Sequence, residues 1–186
     1  MISIAVTGSI ASGKSTVAKL IARKKYPLFS ADRVVKDLYK KSKFNKLLAK
    51  KFNLNRKKNI KNQIKILIKK NKNKLKTLEA IIHPLVRKEM NIFLKIKNKI
   101  LVLEIPLLIE NKLSNYFNVV IFVDAKKKVR LKRYLTINSN KNTFEILNKR
   151  QLSPAKKKFL CDFVINNNYS LAILKKNVKK FIEFYE

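Results

Sequence analysis

Short runs of apolar, largely β-branched residues recur along the chain: ISIAVT at 2–7, PLFS at 27–30, ILVLEI at 100–105, NVVIFVD at 118–124 and DFVINN at 162–167. Most run continuously instead of alternating with polar positions. That is the pattern of strands covered on both faces, as in a parallel sheet. Between these runs the apolar positions take a helical spacing. In STVAKLIARKK, Val17, Leu20 and Ile21 share one face. Residues 78–97, LEAIIHPLVRKEMNIFLKIK, have the spacing of a long helix, with Pro84 expected to break it or open its first turn. Strands alternating with helices predict a doubly wound α/β fold with a parallel sheet of about five strands and helices on both faces.

Two segments interrupt the alternation. Residues 33–76 carry no strand signal and read as helices rich in Lys and Asn. Residues 126–160 are also helical and very basic. The stretch 56–76 verges on low complexity, but Ile60, Ile64, Leu67 and Ile68 keep helical spacing. It is therefore expected to be a helical insertion with a solvated basic face, not a disordered linker.

A length of 186 residues suits one domain, and 46% hydrophobic residues suffice for a core. Lys and Arg number 45 against 11 acids, a formal charge of +34. Such a charge attracts anions, whether nucleic acid or small substrates, but it also accompanies compositional drift. The chain is rich in Lys, Asn and Ile together, and its lysines are spread over the whole length. A nucleic-acid patch is more concentrated, with aromatics interleaved, so no specific nucleic-acid partner is expected. Cys161 is alone, which excludes an internal disulfide and points to a free, partly buried thiol. The opening MISIAVTGS lacks the basic start and long apolar core of a secretory signal. No apolar run approaches the roughly 20 residues of a membrane span. A soluble, cytoplasmic protein without a membrane partner is expected.

The chain has two glycines, Gly8 and Gly13, and both fall in GSIASGKST. Gly8-Ser9-Ile10-Ala11-Ser12-Gly13-Lys14-Ser15 matches G-x-x-x-x-G-K-[ST], with an apolar strand before it and an amphipathic helix after it. Such a loop wraps backbone N–H groups around phosphate oxygens, which requires small side chains and glycine torsions. The helix that follows points its positive end at the anion. Gly8, Ala11, Ser12, Gly13, Lys14, Ser15 and Thr16 are the expected ATP-binding set. Lys14 reaches the β- and γ-phosphates, and the Ser15 hydroxyl is a ligand for Mg²⁺. Asp32, in PLFSADRVVKDLY, falls just past the second strand. A carboxylate there either takes the proton of an acceptor hydroxyl or caps the next helix.

Together these segments resemble the dephospho-CoA kinase family: TGSIASGKSTVA, SAD ending at Asp32, IIHPLVRKE at 81–89, EIPLLIENKL at 104–113, VDAKKKVRLKRY at 123–134 and DFVINNN at 162–168. The phosphate loop alone is generic. The ordered series H-P-L, P-L-L-x-E and D-x-x-I-x-N-N is specific. The resemblance implies an ATP- and Mg²⁺-dependent kinase that phosphorylates the 3′-hydroxyl of dephospho-CoA, the last step of coenzyme A synthesis. It implies one domain over 1–186, with a core of 1–32, 98–125 and 151–186, a helical acceptor-binding insertion at about 33–97 and a lid at about 126–150. It makes Asp32 the general base, with Lys14 and Arg133 beside it in catalysis. His83, Arg87, Leu107 and Leu108 join Asp32 at the acceptor, the leucines either packing or lining the cleft. Arg150, followed by Gln151, and Asn167 fall on the adenine side. Glu104 is either a water-mediated Mg²⁺ ligand or a buried structural acid.

The chain departs from the family pattern in three places. Ile137 stands where a second lid arginine is usual, leaving Lys132, Lys141 and Arg150 as nearby cations. Ser30 replaces the first acid of an Asp-Ala-Asp triplet. Ser9 and Ala11 stand where glycines are common. Another small phosphate-loop kinase, acting on a nucleoside monophosphate or small metabolite, is the nearest rival, and an ATP-switched nucleic-acid binder the more distant one. The oligomeric state is not legible in the sequence.

Overall fold

The structure, a computed structural model, describes residues 1–71, 73–137 and 140–186. Its sheet contains β1 (Ile2–Gly8), β2 (Leu28–Ser30), β3 (Ile100–Glu104), β4 (Val119–Asp124) and β5 (Phe163–Asn166). The strand order is β2-β3-β1-β4-β5. Every pairing is parallel, in registers that run from Ile2 opposite Ile100 to Val6 opposite Glu104, and to Gly8 opposite Val123. The C-terminal ends Gly8, Ser30, Glu104, Asp124 and Asn166 therefore open on one edge, where ligands of open α/β sheets bind. The continuous apolar runs follow from this burial: Ile4, Val6, Ile100, Val102, Ile121 and Val123 are all fully enclosed.

The helices are α1 (Lys14–Ala22), α2 (Ala31–Leu38), α3 (Ser42–Phe52), α4 (Ile60–Lys70), α5 (Asn73–Phe93), α6 (Lys127–Leu135), α7 (Lys141–Lys149), α8 (Pro154–Phe159) and α9 (Leu171–Ile182). Val17 and Ile21 of α1 and Val178 and Ile182 of α9 pack into the same core as β1, β3 and β4, with Leu20 at its margin.

The chain divides into two compact units. One comprises Met1–Ser30 and Ile96–Glu186, the other Ala31–Lys95. The second is all helical and has its own core of Leu38, Phe44, Leu48, Phe52, Ile60, Ile64 and Leu78. The Lys- and Asn-rich stretch is thus a folded helix with Ile60 and Ile64 inward, and Asn59 caps it by accepting from the Asn62 N–H at 3.0 Å.

Pro84 neither breaks nor opens its helix. It sits inside α5, which runs uninterrupted for 21 residues. Leu78 and Met90 are buried on either side of it, and Ile81, Ile82 and Leu85 pack onto the helical core. Packing on both sides offsets the lost backbone hydrogen bond, a term of roughly 3 kcal/mol in an isolated helix.

Cys161 is a free, half-buried thiol, and burial pushes its pKa up to about 11. Among the described residues no helix is long and apolar enough to cross a membrane.

Candidate functional site

The loop after β1 owes its shape to both glycines. A Cβ at Gly8 would stand 2.6 Å from Ser12 Oγ and 2.7 Å from the Val123 carbonyl oxygen. Gly13 has φ +93°, and a Cβ there would lie 2.2 Å from Asn167 Nδ2. Ala11 also adopts the left-handed region, at φ 57°. For an alanine that costs about 1 kcal/mol, so substituting a usual glycine leaves strain that the surroundings must hold. Among the described residues no side-chain hydrogen bond caps α1. A helix N-terminus of this kind favours an anion.

Within the loop, the Ser9 carbonyl accepts from the Ser12 N–H at 3.1 Å and from Lys14 Nζ at 3.1 Å. Other contacts come from far along the chain. The Ile10 N–H donates to Gln151 Oε1 at 2.8 Å, and the Ile10 carbonyl accepts from Arg130 Nη1 at 3.3 Å. The Ser12 carbonyl accepts from Asn167 Nδ2 at 2.8 Å. Peptides on either side of Ala11 are thus gripped by residues more than a hundred positions away.

These grips are themselves anchored. Arg130 is buried, and its guanidinium also donates to the Ala125 carbonyl at 3.0 Å and to Asn148 Oδ1 at 2.8 Å. It lies over the Phe144 ring at 5.7 Å, which joins α6 to α7. Burial lowers its pKa, while Asp124 and Glu145 oppose that shift. Beside Gln151, the Leu152 N–H donates to Glu110 Oε1 at 3.1 Å. Glu110 pairs at 2.7 Å with Lys157, whose side chain is fully buried. The acid of P-L-L-x-E therefore secures the chain that carries Gln151.

On the other flank, Glu104 ends β3 and is 5% exposed. Its Oε1 accepts from Ser15 Oγ at 2.5 Å and its Oε2 from Ser30 Oγ at 3.0 Å. Ser30 thus fills the place of the usual acid as a hydrogen-bond donor, avoiding a second carboxylate against Glu104. Ser15 and Glu104 present hard oxygen donors side by side, a set that fits Mg²⁺. Among the described residues no group of three His, Cys, Asp or Glu forms a separate metal cluster.

The other expected residues divide between the units. Thr16 is exposed on α1. Asp32 lies in the first turn of α2, which begins directly after β2. His83 is half-buried and Arg87 exposed on α5, one helical turn apart. Leu107 is half-buried after β3, while Leu108 is fully enclosed and packs. Arg133 on α6 donates from Nη2 to Asn167 Oδ1 at 3.3 Å. Arg150 is exposed at the end of α7. Ile137 is 84% exposed. Sequence reasoning missed Arg130 and Lys157, and nothing marks them among 45 cationic residues.

The loop geometry predicts that Gly13→Ala weakens ATP binding by at least about 10-fold, the factor that some 1.4 kcal/mol of backbone strain produces. Titration calorimetry beside circular dichroism checks it. Unchanged affinity in a folded variant would contradict the stated need for glycine.

Comparison with known proteins accords with this geometry. A dephospho-CoA kinase family model matches residues 2–172. A dephospho-CoA kinase of Fusobacterium nucleatum is 34% identical over 194 residues, covering 97% of this chain and 96% of the relative. One of Bartonella henselae is 38% identical over 176 residues, covering 90% of each. Among solved structures, TT1252 from Thermus thermophilus superposes with a TM-score of 0.83 at 26% identity, covering 98% of this chain and 97% of that one. A dephospho-CoA kinase from Campylobacter jejuni gives 0.68 at 25% identity, covering 99% and 97%. A shikimate kinase from Bacteroides thetaiotaomicron gives 0.61 at 14% identity, a likeness of fold alone, over 98% and 97%. With a family model spanning nearly the whole sequence and full-length relatives above 30% identity, this chain belongs to the dephospho-CoA kinase family.

Proposed function

We infer that the protein transfers the γ-phosphate of ATP to the 3′-hydroxyl of dephospho-CoA, giving coenzyme A and ADP. The observation that carries this reading is the family match over residues 2–172, which takes in the phosphate loop and the whole helical unit. A cytoplasmic location suits such soluble substrates.

In this reading the loop N–H groups and Lys14 hold the phosphates of ATP. Ser15, with Glu104 behind it, holds Mg²⁺, which when bound neutralises phosphate charge. Asp32 aligns the ribose hydroxyl and accepts its proton as the phosphoryl group passes in line. Its support is its position, two residues beyond Ser30, whose hydroxyl shares Glu104 with Ser15. Residues of α6 and α7 act as the lid, from which Arg133 meets the transferred charge. Arg150 and Asn167 lie toward the nucleotide, and Asn167 serves through the loop contact described above. His83, Arg87 and Leu107 serve the acceptor. The helical unit also has a groove of about 880 Å³ whose lining includes Phe44, Leu47 and Leu85 together with Lys41, Lys50 and Arg56. A lining of apolar residues together with cations matches an acceptor that carries a diphosphate and a long, weakly polar arm.

The acceptor is tested by ADP release with dephospho-CoA beside a panel of nucleoside monophosphates and small alcohols, followed by mass measurement of the product. Stimulation by dephospho-CoA alone is expected. Stimulation by another acceptor, and none by dephospho-CoA, would overturn the assignment. In the same assay Asp32→Asn is expected to lower transfer by about 10²-fold or more while leaving ATP affinity unchanged. Near-normal turnover would remove Asp32 as the base.

A further inference from the structure

Asn167 follows β5 directly and is 6% exposed. Its backbone N–H donates to the Asp124 carbonyl at 2.8 Å, which fixes it against the end of β4. Its side chain then points both ways. Nδ2 donates to the Ser12 carbonyl at 2.8 Å, and Oδ1 accepts from Arg133 Nη2 at 3.3 Å. A primary amide is the group that offers a donor and an acceptor on one rigid plane. The approach is close enough that residue 13 has no room for a Cβ.

Arg133 is held by one prong of its fork. Its other terminal nitrogen, Nη1, is buried and has no hydrogen-bond partner among the described residues. A guanidinium with one prong fixed and the other buried without a partner is arranged for an anion, because its planar donors are already oriented. The anion-binding loop lies on the far side of the same amide.

We propose that Asn167 is a positioning residue that registers the Arg133 guanidinium against the phosphate loop, so that loop and arginine meet the nucleotide phosphates as one unit. The proposal rests on the reading of Arg133 as the cation that meets the transferred phosphoryl group. It gives Asn167 a task other than contact with the adenine base, since both polar ends of its side chain are engaged on the protein. It also explains the second glycine: Gly13 supplies a left-handed torsion and clears the path of the amide.

A double-mutant cycle tests it. Asn167→Ala and Arg133→Ala are made singly and together, and kcat at saturating substrates is measured alongside the KM for ATP. Arg133→Ala alone is expected to lower kcat by about 10²-fold, as for loss of a group that stabilises transition-state charge. Asn167→Ala is expected to lower kcat by about 10-fold where Arg133 is present and by less than about twofold where it is absent. The KM for ATP rises in both backgrounds, because the Ser12 carbonyl loses its donor in each. Asn167→Asp keeps an acceptor for Arg133 and loses the donor to Ser12. It is expected to raise the KM while retaining most of kcat, and it stands in should the alanine variant fold poorly. Equal kcat losses from Asn167→Ala in both backgrounds, or an Asn167→Asp kcat as low as that of the alanine variant, would overturn the proposal. Unchanged kcat in Arg133→Ala alone would refute the reading of Arg133 and the proposal with it. That result is read from a single variant, so the two failures are distinguishable.

Discussion

A loop that turns its N–H groups toward an anion gives up much of its own internal hydrogen bonding, so its shape has to be imposed from outside. That constraint organises the edge of the sheet here. The Ile10 peptide is held at both ends, by Gln151 on its N–H and Arg130 on its carbonyl, and the Ser12 carbonyl is held by Asn167. Ser15, at the start of α1, is held by Glu104. Two glycines and a left-handed Ala11 let the backbone take the shape, and distant side chains keep it there.

The buried charges show what this arrangement costs. Among the described residues the buried charged side chains are Glu104, Arg130 and Lys157. Each would cost several kcal/mol if left unpaired. Glu104 receives two hydroxyls, Arg130 donates to two carbonyls and an amide oxygen, and Lys157 pairs with Glu110. All three lead to the phosphate loop or to the chain that grips it. The other cations, on a chain of formal charge +34, lie mainly on solvated faces. A surface so basic favours anionic ligands in general, while the buried set gives the loop one geometry.

Much of this was legible in the sequence. The continuous apolar runs placed all five strands to within one residue at either end, because the central strands β1, β3 and β4 are buried along nearly their whole length and the edge strands β2 and β5, though partly exposed, keep short apolar runs. The phosphate loop was readable because Gly8 and Gly13 stand out in a chain with no other glycine. The course of α5 through Pro84 was not, since packing by Leu78 and Met90 overrides a local preference. The three-way contact of Asn167 was not either. An asparagine after a strand looks like a turn residue, and its partners Ser12 and Arg133 are distant in sequence. Glu110 was visible as part of a motif, but only its burial against Lys157 shows what it does. Ser30 makes sense only once Glu104 is seen facing it.

Side chains outside the loop set its affinity for phosphate. Gln151 is the place to test this, because its side chain reaches the loop by accepting from the Ile10 N–H at 2.8 Å. Gln151→Leu leaves the Ile10 N–H without its partner, a loss of about 1–3 kcal/mol. The measurement is the dissociation constant for ATP by titration calorimetry, with the melting temperature recorded beside it. The account predicts binding weakened by about 10-fold in a protein that remains folded. An unchanged dissociation constant would show that the loop holds its shape unaided, and would contradict the account.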